Sequence, residues 1–150
     1  MAVSSERHRF TVMVSLQQQL VTVLSGVMPV DEESDGALTV RHAGTIASLR
    51  VVEISEGLDL VSLTQIVAWD LLLNKKVRDT VTGQSRTILL GSINLVEKPS
   101  DPATKRNSSK SADVLLRYNF PGGGLGDDAL RTLVLMVLDK GAEIGRALIG

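Results

Sequence analysis

Apolar positions along the chain change period several times, and each change marks an element. Between Phe10 and Val30 there is no charge, and Met13, Leu16, Leu20, Val23, Leu24, Val27 and Met28 recur at steps of three and four. That spacing lays one apolar stripe along a helix, and Pro29 ends it. The β-branched residues Val12, Val14, Val21, Thr22 and Val23 lower intrinsic helix propensity, so this helix depends on packing. Its other face offers Gln18, Thr22 and Ser25 in place of charge, a surface cheap to cover. The stripe suits an ordinary core helix; left exposed, it becomes a docking surface.

After the acidic turn closed by Asp35-Gly36 the period becomes two. Leu38, Val40 and His42 share one face of a short strand, and Ala43-Gly44 turns the chain. A second strand is predicted from about Thr45 to Ile54, with Ile46, Val52 and Ile54 on one face and Leu49 and Val51 on the other. Ser55, Glu56 and Gly57 make the next turn, and a third strand runs from about Leu58 to Ala68. Connections this short join antiparallel neighbours, because parallel pairing needs a long crossover, so the three strands form a meander.

Asp70 is placed to cap a helix with Leu71, Leu72, Leu73, Val77 and Val81 on its apolar side and Gly83 as its stop. The stretch ILLGSINLVE, residues 88–97, reads as a strand in which Gly91 marks a bulge or a close backbone approach. KPSDPATKRNSSKS, residues 98–111, holds nothing larger than Ala on the apolar side and reads as a mobile hairpin loop. ADVLLRYNF then alternates Val114, Leu116, Tyr118 and Phe120 against Asp113, Leu115 and Arg117 until Pro121. A final helix, capped by Asp127 or Asp128, carries Leu130, Leu133, Val134, Val137, Leu138, Ile144 and Leu148 as its stripe. Leu135 and Met136 lie off that stripe, which makes the helix a candidate subunit interface. Gly141 and Gly145, four apart, suit either close backbone approach there or a fraying last turn.

Composition narrows the function. At 150 residues the chain fits one domain, residues 1–150, and Leu, Val, Ile and Phe supply 49 of them, enough for a core. With 16 basic and 17 acidic residues the net charge is -1, which gives no field to recruit nucleic acid or an anionic membrane. Cysteine is absent, removing disulfides and thiolate chemistry and making the cytoplasm the expected compartment. Only Phe10, Trp69, Tyr118 and Phe120 are aromatic, too few for base-stacking platforms. The longest apolar run, Leu133 to Leu138, is far short of a membrane span.

Candidate chemistry is thin. GGGLGD, residues 122–127, follows a strand and opens a helix, as phosphate loops do. It lacks the Gly-Lys-Ser/Thr ending and places Asp127 and Asp128 where phosphate would sit. Asp31, Glu33, Asp35 and Gly36 match half of a calcium loop, but the twelfth position is His42. With only His8 and His42 as imidazoles and no flanking carboxylate in sequence, no nucleophile, base and oxyanion set is visible. The expectation is a protein without enzymatic activity, cofactor or metal.

The element order is α-β-β-β-α-β-β-α, an α+β fold with a twisted antiparallel sheet flanked by helices. Together with the Leu-rich helix running into Asn74, the glycine of LGSINLVE and the passage YNFPGGGLGDDALRTLV, it resembles the class I type III secretion chaperones of the Tir-chaperone group and the related YbjN-like proteins. The resemblance covers nearly the whole chain. It implies a homodimer that binds a partner polypeptide, often extended, across apolar patches and sheet edges. By the same resemblance Met13, Leu16, Leu20 and Leu24 would help to form the partner-binding patch, and Leu71, Leu72 and Val77 the dimer contact. The alternative is a structural or regulatory subunit of a fixed assembly.

Overall fold

A computed structural model describes residues 15–98 and 110–149. Helix α1 (Leu16–Ser25) begins where the Ser15 side chain accepts a hydrogen bond from the Gln18 amide, satisfying one of the free donors of the first turn. Strands β1 (Val30–Glu32), β2 (Leu38–His42), β3 (Thr45–Ser55) and β4 (Leu58–Leu72) follow. Helix α2 (Lys75–Thr87), strands β5 (Ser92–Glu97) and β6 (Ser111–Pro121) and helix α3 (Asp127–Ile149) complete the order. The six strands form one antiparallel sheet in the order β1-β2-β3-β4-β6-β5. The expected α+β layout is what the chain adopts, with β1 added where only an acidic turn was expected.

Turn chemistry sets the meander. Ala43 and Gly44 both take positive φ, 48° and 82°, as a two-residue hairpin turn compatible with strand twist requires. The alternation predicted for β3 holds: Ala47 and Leu49 are buried, while Val52 and Ile54 are exposed.

Strand β4 is longer than its pattern suggested. Two irregularities, between Ile66 and Ala68 and between Ala68 and Leu71, break its period, and Asp70 takes φ 56° within the second. Past them Leu71 and Leu72 still pair with Ala112 and Ser111. Leu71 and Leu72 are therefore strand residues, not helical ones, and the cap of α2 is Asn74, whose side chain accepts from the Val77 amide at 2.9 Å. Helix α2 runs through Gly83 to Thr87, because a solvated glycine costs a helix only about 1 kcal/mol.

Strand β5 starts four residues later than expected. Gly91 takes φ 85°, and a Cβ there would lie 2.6 Å from the Arg117 carbonyl oxygen, so this is the close backbone approach that the glycine suggested. Most of the predicted hairpin loop, residues 99–109, lies outside the described residues.

Leu20 and Leu24 of α1, Leu49 and Leu63 of the sheet, Leu116 of β6 and Leu130, Leu138 and Ile144 of α3 meet in one core. Gly141 and Gly145 carry α3 onto β4: a Cβ on Gly141 would collide with the Gln65 side chain, and one on Gly145 would lie 2.5 Å from the Val67 carbonyl oxygen. The glycines thus serve close approach to the chain's own sheet, neither a second subunit nor a frayed end. The helices cover the same side of the sheet.

Candidate protein-interaction surface

Because side chains alternate across a strand, closing one side leaves the other side's residues in register on the outside. Ile46, Ile66 and Leu115 stand side by side on β3, β4 and β6, and this row continues to Arg41 on β2 and Asn94 on β5. The next row is polar: Thr39, Ser48, Thr64, Arg117 and Ser92. Near the β3–β4 hairpin Val52, Ile54 and Leu58 are exposed, and toward the far end of β4 so are Trp69, Leu72 and Val96. Among the described residues no helix lies on this side.

The two edges of the sheet differ. Strand β1 is three residues long, follows Pro29 and carries Asp31 and Glu32, all features that discourage further pairing. Strand β5, SINLVE, has six residues, no proline or lysine, and Glu97 as its only charge, at its end. Its Ile93 and Leu95 are partly buried against the core, while Val96 is exposed.

The residues that the sequence singled out for partner binding are placed otherwise. Leu16 is 7% exposed, and Leu20 and Leu24 are fully buried, packed under the sheet and against α3. The stripe of α1 is core and presents no patch, because a helix laid on an aliphatic sheet hides its only apolar side. Met13 lies outside the described residues. Of the three dimer candidates Val77 is buried, Leu71 packs against the core, and only Leu72, at 55% exposure, is available to a partner. Sequence reasoning missed the outer row of Ile46, Ile66 and Leu115, although its alternation was legible, because alternation does not say which side the helices choose.

The polar groups act as fasteners. His42 Nε2 lies 2.7 Å from Asp139 Oδ1, a carboxylate 97 residues away that ties the β2–β3 turn to α3. Buried Gln65 donates to Thr45 Oγ1 at 2.8 Å and to the Leu138 carbonyl at 3.1 Å, and Thr45 donates to the His42 carbonyl. Arg50 beside Asp35 holds that carboxyl below its ordinary range, with help from the Ala37 amide. Asp70 and then Asp113 push the Lys98 ammonium above its ordinary value. In the glycine loop Gly122 makes room for Leu16 and Val61, and Gln19 Nε2 donates to the Leu125 carbonyl and to Asp127 Oδ1. The loop therefore anchors α1. Among the described residues no group of three His, Cys, Asp or Glu side chains is placed to hold a metal, and no helix is long and apolar enough to cross a membrane.

Comparison with known proteins finds no matching family model and no matching curated protein. Among solved structures the chain is similar to YbjN from E. coli, described as a candidate transcription regulator. The TM-score is 0.53 with 12% sequence identity, covering 87% of this chain and 88% of that one. At that identity the likeness is one of architecture, and the chain has a YbjN-like fold.

Proposed function

We propose that the protein is a non-enzymatic interaction module, chaperone-like in the manner of the Tir-chaperone group. It binds an extended segment of a partner polypeptide and works as a homodimer in the cytoplasm. The observation that carries this reading is the terminal strand β5, free of proline and lysine, beside a sheet side lined by Ile46, Ile66 and Leu115. An extended segment added to β5 gains main-chain hydrogen bonds, and its alternate side chains reach over the outer side of the sheet, where Arg117 and Asn94 supply polar selectivity. The near-neutral charge and scarcity of aromatic residues favour a polypeptide over nucleic acid as the ligand.

Testing begins with a tagged pull-down from the native host, identification of the bound polypeptide and scanning of its sequence with synthetic peptides. Asn94→Lys with Val96→Lys puts charge on the edge without touching the core and should abolish peptide binding while the melting temperature holds. Peptide affinity unchanged by that pair would overturn the β5 assignment. Undiminished association at a fixed ratio, with no exchange, would point to a permanent assembly subunit instead.

A further inference from the structure

Between the segment after α2 and the outer side of α3 lies a cleft of about 480 Å³. Leu90 and Val137 line it together with Met136, which is 46% exposed, and Leu89, which is 83% exposed and the most exposed large apolar residue described. Along the same side of α3 run Asp139, Lys140, Glu143 and Arg146. Their signs read minus, plus, minus, plus, and read backwards they read plus, minus, plus, minus. Such an order is complementary to its own reversal, which is the condition for an antiparallel helix pair about a two-fold axis.

We infer that this side of α3, with the Leu89 cleft, is the surface on which a second copy of this chain docks. The inference rests on the homodimer part of the reading above and gives it a location. With the axis near residue 142, Asp139 faces the partner's Arg146, and Lys140 faces the partner's Glu143; each pair occurs twice. The overlap of residues 135–149 spans about 22 Å at about 1.5 Å per residue. Within one chain Lys140 lies 3.4 Å from Glu143 and Asp139 lies 2.7 Å from His42, so docking exchanges or shares these exposed contacts with their counterparts across the axis. Leu89 stands beside the cleft it would fill on the other copy, and the symmetry makes that exchange reciprocal.

The test uses the full chain and light scattering across a concentration series. Wild type is expected at twice the chain mass. Leu89→Asp should weaken self-association roughly tenfold or more, because it replaces the apolar side chain that fills the cleft with a charge that must shed its water on docking. Lys140→Glu alone and Glu143→Lys alone should each weaken it, since each opposes like charges across the axis. Mixing these two variants should restore the dimer, because their charge patterns complement one another, and circular dichroism should show all three variants folded. No pairing within one chain predicts that rescue. A wild-type chain at monomer mass throughout overturns the inference, as does a dimer indifferent to all three substitutions, or singles that weaken without rescue on mixing. Peptide binding by β5, measured on the same samples, reports separately on the partner-binding reading.

Discussion

Two sides of the same six strands carry nearly the same residue types and meet opposite fates. Leu49, Leu63 and Leu116 on the inner side are fully buried beneath α1 and α3. Ile46, Ile66 and Leu115, an odd number of residues away on the same strands and so pointing the other way, stay half-buried on the outer side. The inner side is closed by shape as much as by hydrophobicity: Gly141 and Gly145 let α3 approach β4 so closely that no side chain fits between. The outer side mixes its apolar row with Ser48, Thr64 and Arg117, enough polarity to stand in water and enough apolar area to gain from a partner.

Moving charge to the inner side is the most damaging change. Leu16→Glu with Leu20→Glu buries two carboxylates without partners and should abolish the cooperative thermal transition, whereas a folded protein that merely loses its partner would reinstate the α1 stripe as a surface. Gly145→Leu comes next. It forces α3 off the Val67 carbonyl and should lower stability by about 3 kcal/mol or more in urea titrations, since overpacking here strikes backbone. Neighbouring positions of β4 sharpen the contrast: Leu63→Ala should cost about 2–5 kcal/mol, while Ile66→Ala should cost about 1 kcal/mol and reduce partner affinity instead. Equal costs at the two sites would mean that the outer side is closed as well.

The smallest effect is electrostatic. Asp35 is held below its ordinary value of 3.8 by Arg50, so its ionised form is favoured in the folded chain. That contribution is fully present above the unfolded value and is lost as pH falls through the lowered one. Arg50→Gln should therefore flatten the acid side of the stability curve slightly, and only slightly, because both groups are exposed to solvent screening. Chemical denaturation across the acid range is the measurement.

Much of this fold was legible in the residues. The period-two pattern of β3 and β6, the hairpin at Ala43-Gly44 and the stripe of α3 all follow from local rules, because strand alternation and helical spacing survive whatever packs on them. The far end of β4 was not legible. LLLNKK reads as a capped helix start, but pairing of Leu71 and Leu72 with β6 outweighs the local preference, and bulges spoil the alternation that would reveal a strand. The His42–Asp139 contact was invisible for a simpler reason: its partners lie 97 residues apart.

The candidate site divides in the same way. The residues alone dictate an aliphatic α+β chain of balanced charge, without cysteine chemistry and with strands that are apolar on both sides. Which side the helices cover is set by long-range packing, which makes the α1 stripe core and the row of Ile46, Ile66 and Leu115 surface. Periodicity states that a residue has a facing side. What stands opposite depends on a partner far along the chain, and here two glycines on α3 admit its close approach to β4 on the covered side.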